Sequence, residues 1–200
     1  MPNERIEAIK RTLRKRRCFS YTKYRPKRRI IMKKVNMNIE NCILGSSLVY
    51  GIFIDNTVTI SCPGGQVSTL CSAGVQEELE YFKPKRVIVM CGTNNLYDKD
   101  QRTLMLPSEV ALEMDYLINL YKHRGYQVAL MKLISREGKY RRIKKLNQFY
   151  AQIAKWHGIP CFRTRKFSHR RYISDDGLHP SPAGVRELAK DLYDALAAWK

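Results

Sequence analysis

Three residues in two distant parts of the sequence have the types and surroundings that nucleophilic catalysis needs. Ser47 follows a short apolar run and a glycine, and Asp176-Gly177-Leu178-His179 precedes a predicted helix. A serine hydroxyl becomes a good nucleophile only when a base takes its proton, and imidazole does this near neutral pH. Asp176 lies three residues before His179, so one turn can present both side chains and fix the imidazole tautomer. We interpret Ser47 as the nucleophile, His179 as its base and Asp176 as the orienting acid.

Two further segments could stabilise the negative oxygen of a tetrahedral intermediate, which needs hydrogen-bond donors placed in advance. They are a Pro-Gly-Gly and a Gly-Thr-Asn-Asn sequence, each following a predicted strand. We assign the oxyanion role to the backbone N–H groups of Ser47 and Gly64, with Gly65 as the alternative glycine, and to the side-chain amide of Asn94. Taken singly, each of these segments is also explained as an ordinary turn.

The apolar runs indicate how the chain positions these residues. Strands that alternate with helices of ten or more residues are typical of βαβ units in a parallel sheet. We predict a three-layer α/β/α domain with a five-stranded parallel sheet, whose ligands bind at the carboxyl ends of the strands. The predicted strands are Cys42–Leu44, Thr57–Ser61, Arg86–Cys91, Gln127–Ile134 and Ile159–Phe162, and the predicted helices are Val67–Phe82, Ser108–His123, Lys139–Trp156 and Ser181–Trp199.

The net charge of +19 is concentrated near the N-terminus, because residues 1–34 hold 14 of the 37 Lys and Arg but only two of the 18 acidic residues. Such a block attracts polyanions, either RNA or DNA or an anionic membrane surface, although a solvated tail explains it as well. We predict a basic, flexible segment at 1–38 and a folded domain at 39–200. The residues assigned to nucleic-acid contact are Arg14, Lys15, Arg16, Arg17, Lys27, Arg28 and Arg29.

The folded domain also carries basic clusters, which could extend a nucleic-acid surface or form an ordinary solvated face. Their members are Lys139, Arg141, Arg142, Lys144 and Lys145, then Arg163, Arg165, Lys166, Arg170 and Arg171.

The cysteines and the hydropathy pattern predict the cellular compartment of the protein. None of the six cysteines forms a CxxC pair, so no zinc site is predicted, and several lie in apolar runs that favour burial. The N-terminus lacks the apolar core of a secretory signal, and no run reaches the length of a transmembrane helix. We therefore expect an intracellular protein, cytoplasmic or nuclear, with no transmembrane segment.

Over residues 40–199 the sequence resembles the SGNH (GDSL) hydrolase superfamily, because four of its blocks occur in order. Gly45-Ser46-Ser47 is similar to the family's Gly-Asp-Ser, and Gly64 to the glycine of its second block. The segment 92–95 is similar to Gly-x-Asn-Asp, and 176–179 to Asp-x-x-His. The resemblance implies hydrolysis of a small acyl or acetyl ester through an acyl-enzyme, without a metal or cofactor.

Two departures from that pattern concern supporting positions rather than the three candidate catalytic residues. Ser46 stands where the family has Asp before the nucleophile, and Asn95 stands where it has Asp after the oxyanion Asn. These changes put the rigidity of the turns and the rate in question. A basic segment beside such a domain is also similar to the first open-reading-frame proteins of some LINE-type retrotransposons. The alternative function is therefore a nucleic-acid-binding module with little or no catalysis.

Overall fold

The computed structural model contains one six-stranded sheet, with five parallel strands and one antiparallel edge strand. The structure describes residues 29–31, 39–97, 103–134, 140–164, 167, 170–177 and 179–199. The strands are β1 (Arg29–Ile31), β2 (Asn41–Gly45), β3 (Thr57–Ser61), β4 (Arg86–Met90), β5 (Gln127–Met131) and β6 (Cys161–Phe162). Their order is β1-β3-β2-β4-β5-β6, and only β1 runs antiparallel to its neighbour. The predicted five-stranded parallel sheet is confirmed.

Both faces of the sheet are covered, as a parallel sheet requires. Every residue of β2 and β3 is buried, and so are all but the first residues of β4 and β5. Helices complete the three-layer α/β/α domain, and none of those described combines the length and apolarity needed to cross a membrane. They are α1 (Val67–Leu70), α2 (Ala73–Phe82), α3 (Thr93–Leu96), α4 (Pro107–His123), α5 (Tyr140–His157) and α6 (Pro182–Ala198).

The strand order places a crevice at the carboxyl end of β2. After β2 the chain forms β3 on one side of it and then β4 on the other, so the direction of winding reverses at β2. Ligands of open α/β sheets bind at such a switch point. Ser47 follows β2, Gly64 follows β3 and Asn94 follows β4, so three candidate residues come from three adjacent strands.

The structure differs from the sequence prediction in several places, and β5, for example, ends at Met131 rather than at Ile134. The helix predicted over 67–82 is two helices, because Ser72 adopts an extended conformation (φ −64°, ψ 149°) and starts α2 separately. Strand β1 lies within the segment predicted to precede the domain, and its three residues pair with β3. The domain boundary at residue 38 stays a prediction.

Gly45, at the end of β2, allows the close approach of β2 and β4 beneath the nucleophile. A Cβ at this position would lie 2.4 Å from the carbonyl oxygen of Met90 and 3.0 Å from Val49 Cγ1. Because backbone cannot move aside cheaply, we expect Gly45→Ala to lower the free energy of unfolding by about 1–3 kcal/mol. Denaturant unfolding measures this loss, and an unchanged midpoint would contradict the close approach.

Candidate active site

Ser47 is the first residue of a single 3-10 turn, Ser47–Val49, directly after β2. The first N–H groups of a helical turn have no partner within it, so the Ser47 N–H is suited to an external acceptor. Two hydrogen bonds from the end of β3 fix this turn. Ser61 Oγ donates to the Ser46 carbonyl at 3.0 Å, and the Cys62 N–H donates to the Gly45 carbonyl at 2.8 Å.

The structure brings His179 and Asp176 to this serine. His179 Nε2 lies 3.0 Å from Ser47 Oγ, and His179 Nδ1 lies 2.7 Å from Asp176 Oδ2. The other carboxylate oxygen, Oδ1, accepts the backbone N–H of His179 at 2.9 Å. With Nδ1 protonated toward the carboxylate, Nε2 keeps a lone pair that faces the serine hydroxyl. The three side chains therefore have the arrangement that proton transfer from a serine requires.

Hydrogen bonds from residues on both sides of His179 hold it in place. Ser174 contacts the His179 carbonyl twice, through its N–H at 2.8 Å and its Oγ at 3.0 Å. On the other side of His179, the Ser181 N–H donates to the Tyr172 carbonyl at 3.0 Å, and Ser181 Oγ caps α6 by accepting the Gly184 N–H at 3.1 Å. The cap was predictable from Ser-Pro at a helix start. Ser174 carries no such signal in the sequence.

The glycine segment after β3 forms a tight turn beside the serine. The Gly65 N–H donates to the Cys62 carbonyl at 2.8 Å, and Gly64 has φ +71°. Pro63 followed by a glycine with positive φ is typical of a type II turn. Because the Gly65 N–H is committed to this turn, Gly64 is the better candidate oxyanion donor of the two glycines.

Asn94 lies against this turn rather than apart from it. Its Nδ2 donates to the Gly65 carbonyl at 3.0 Å, and its own carbonyl accepts from Gln66 Nε2 at 3.3 Å. The two segments assigned to the oxyanion are thus joined to each other by hydrogen bonds.

The basic residues assigned to nucleic-acid contact fall mostly outside the described residues. Only the backbone of Arg29 is described, as the first residue of β1.

Within the domain, the basic cluster on α5 divides into two groups. Arg142 turns inward and donates to Thr103 Oγ1 at 3.0 Å and to the Met105 carbonyl. Its neighbours Arg141, Lys144 and Lys145 are exposed.

Three of the cysteines are poor alternative nucleophiles. Cys42 and Cys91 are fully buried, and burial raises the pKa of both thiols well above the ordinary value. Burial also raises the pKa of Cys71 to about 12. Such thiols stay protonated and unreactive. Among the described residues, no three His, Cys, Asp or Glu side chains are grouped so that they could hold a metal ion.

The sequence matches the model of a known protein family. The model of the GDSL-like lipase/acylhydrolase family matches residues 44–187, which is more than half of the chain. The comparison with curated proteins finds no match.

Several solved structures share the fold. A GDSL-like lipase from Bacteroides thetaiotaomicron is 15% identical, with a TM-score of 0.60 over 80% of this chain and 88% of its own. A psychrotrophic esterase from Pseudoalteromonas is 16% identical, with a TM-score of 0.63 over 80% and 98%. An acetylxylan esterase from Geobacillus stearothermophilus is 19% identical, with a TM-score of 0.63 over 81% and 95%.

Proposed function

Because the chain belongs to the GDSL-like lipase/acylhydrolase family and is an ester hydrolase, we propose that it cleaves esters through an acyl-enzyme on Ser47. The observation that carries this proposal is the hydrogen-bonded series from Ser47 Oγ through His179 to Asp176. A nucleophile, a base and an orienting acid in hydrogen-bond contact are what acyl transfer needs.

In the first half of the reaction, Ser47 Oγ attacks the ester carbonyl carbon and its proton passes to His179 Nε2. The carbonyl oxygen becomes negative and accepts hydrogen bonds from the N–H groups of Ser47 and Gly64 and from the Asn94 amide. Collapse of this intermediate breaks the bond between the carbonyl carbon and the alkoxy oxygen of the ester, and His179 gives the proton to the leaving alcohol. In the second half, water attacks the acyl carbon as His179 Nε2 takes its proton. His179 then gives this proton to Ser47 Oγ as the bond from Oγ to the acyl carbon breaks and the carboxylic acid leaves.

We infer that the acyl group is small. His179 and Asp176 have side-chain exposures of 39% and 47%, so the base and its acid lie at an open edge of the protein. A site whose base and acid are this exposed is expected to bury little of a long acyl chain and therefore to gain little binding energy from it. Acetyl esters fit this description, and one of the similar structures is described as an acetylxylan esterase.

The test is hydrolysis of p-nitrophenyl acetate and p-nitrophenyl octanoate, together with labelling by an aryl phosphonate. We expect a higher kcat/KM for the acetate, and one phosphonyl group per chain on the peptide that contains Ser47. An absence of hydrolysis and of labelling would refute the proposal. A preference for octanoate would refute only the inference of a small acyl group.

We also propose a second function, the binding of single-stranded nucleic acid, and α5 supplies the observation in its favour. The helix contains no Asp or Glu. Its outer surface exposes Arg141, Lys144, Lys145 and Lys155, and beside the last of these Trp156 is 60% exposed. Basic side chains that follow a phosphate backbone, with an aromatic ring for base stacking, suit this ligand. The basic segment at 1–38 would add further phosphate contacts.

Charge reversal on α5 tests this second function. We expect Lys144→Glu with Lys145→Glu to weaken binding of a fluorescent oligouridine about tenfold, because two phosphate contacts are lost. The slope of log affinity against log salt should fall by about 1.4, since each contact to a single strand contributes about 0.7. Fluorescence anisotropy over a range of salt concentrations measures both quantities.

The matched control is Arg186→Glu with Lys190→Glu, which makes the same charge change at two exposed positions of α6. Helix α6 also carries three acidic residues, so it presents no comparable basic face. Equal losses in the two double variants would indicate an effect of net charge alone. Binding that does not depend on salt would contradict phosphate contact altogether.

A further inference from the structure

Asn95 is a fully buried amide in α3 that links two other helices. Its Oδ1 accepts the N–H of Val67, the first residue of α1, at 2.9 Å. Its Nδ2 donates to Glu113 Oε2 on α4 at 2.6 Å. A buried amide with both ends bonded has one orientation, because turning it over would place donor against donor.

Glu113 completes the same arrangement from the other side. The N–H of Ser68, the second residue of α1, also faces this carboxylate and favours its charged form. Burial raises the pKa of Glu113, whereas the hydrogen bonds from Asn95 and Ser68 lower it. The N–H groups of Val67 and Ser68 thus face the side chains of Asn95 and Glu113, which are hydrogen-bonded to each other. At other helix starts such N–H groups often have no partner in the helix.

This pair lies behind the segment that carries the proposed oxyanion donors. Helix α1 begins two residues after Gly65, whose carbonyl accepts Asn94 Nδ2 at 3.0 Å. Asn94 is also the neighbour of Asn95 in the chain. A shift of α1 relative to α3 would therefore change the separation between the Gly64 N–H and the Asn94 amide.

We propose that Asn95 and Glu113 are positioning residues that hold the Gly64 turn and the Asn94 amide at the spacing the oxyanion requires. This inference rests on the function proposed above. In this proposal neither residue touches the substrate. Losing the pair should therefore lower kcat rather than raise KM. A misplacement of about 1 Å in such a site can cost about 10²-fold in rate.

The pair can be broken and rebuilt with almost no change in shape. Asn95→Asp places two carboxylates at hydrogen-bond distance, and Glu113→Gln leaves one oxygen for two donors. In the double variant, the new carboxylate on α3 would accept from the Val67 N–H and from the new amide on α4, and the oxygen of that amide would accept from the Ser68 N–H. We expect each single change to lower kcat about 10–100-fold with KM within about twofold, and the double change to restore kcat to within about threefold.

Hydrogen exchange of the amides of residues 64–70 gives a readout that does not depend on activity. We expect faster exchange in each single variant and wild-type exchange in the double variant. The control is Glu109→Gln, one turn earlier on α4, where the carboxylate accepts the Leu106 N–H at 2.8 Å. It removes the same charge away from α1 and should leave kcat and exchange unchanged.

The two proposals fail in different ways. If the wild-type protein hydrolyses no ester, the proposed function is refuted, and the exchange pattern alone decides whether the pair holds the turn. Unchanged exchange in both single variants would overturn the inference whatever the activity. Single losses of kcat that the double variant does not recover would also overturn it, because the two residues would then not act as a pair.

Discussion

Replacing Ser47 with alanine is expected to lower kcat for p-nitrophenyl acetate by about 10⁶-fold, because the variant cannot form an acyl-enzyme. The oxyanion donors and His179 would remain, so the residual rate should be the slow attack of water in an organised site. The change removes one oxygen atom from a half-buried side chain whose structural contact is the 3.0 Å bond to His179. We therefore expect the melting temperature to change little.

The measurement is single-turnover and steady-state hydrolysis beside the phosphonate label. The wild-type protein should release a burst of p-nitrophenol if deacylation is the slower step, and the variant should release none. Loss of the label together with loss of turnover would identify Ser47 as the nucleophile. A variant that keeps one-hundredth of the activity, or takes the label elsewhere, would show that another group attacks the ester.

Replacing Asp176 with asparagine should be the second largest effect, about 10⁴-fold in kcat. Asp176 accepts two hydrogen bonds from His179, one from the backbone N–H and one from the ring. An asparagine has one oxygen, and the bond to the backbone N–H would turn its NH₂ toward Nδ1. Nδ1 would then have to accept, the proton would lie on Nε2, and His179 could no longer take the proton of Ser47.

The neighbouring Asp175→Asn is the matched control, because Asp175 is exposed and carries the same charge. It should keep nearly full activity, while both variants should keep the melting temperature of the wild-type protein. A loss of less than about tenfold in Asp176→Asn would show that the carboxylate does not set the imidazole tautomer. Equal losses in both variants would point to the charge of the loop instead.

Much of the fold could be predicted because most of its strands are apolar runs and its long helices have clear ends. Arg86–Met90 is such a run, and the Ser-Pro start of α6 is a local signal that needs no tertiary information. The break between α1 and α2 could not be predicted, since apolar residues continue through it at helical spacing. Strand β1 has three residues within a basic stretch, and only its pairing with β3 makes it a strand.

The candidate site likewise has one part that the sequence could predict and one that it could not. Ser47, Gly64 and Asn94 lie two to four residues after the ends of parallel strands. Parallel topology alone therefore predicts that they meet at one edge of the sheet. The contact of Asn95 with Glu113 joins residues 18 apart on two helices, and no local pattern marks it. The sequence therefore identified Asn95 as a departure from the family pattern without indicating its partner.

The shortness of the two edge strands bears on how the protein behaves at high concentration. As described, β1 has three residues and β6 has two, whereas the four strands between them have five each. An exposed edge recruits other chains through its row of unpaired backbone groups, and shortening that row is a common natural defence. The apolar segments most prone to aggregate as β-strands are interior strands of the sheet, with a hydrogen-bonded neighbour on each side. We therefore expect native molecules to resist edge-to-edge aggregation for as long as the sheet stays folded.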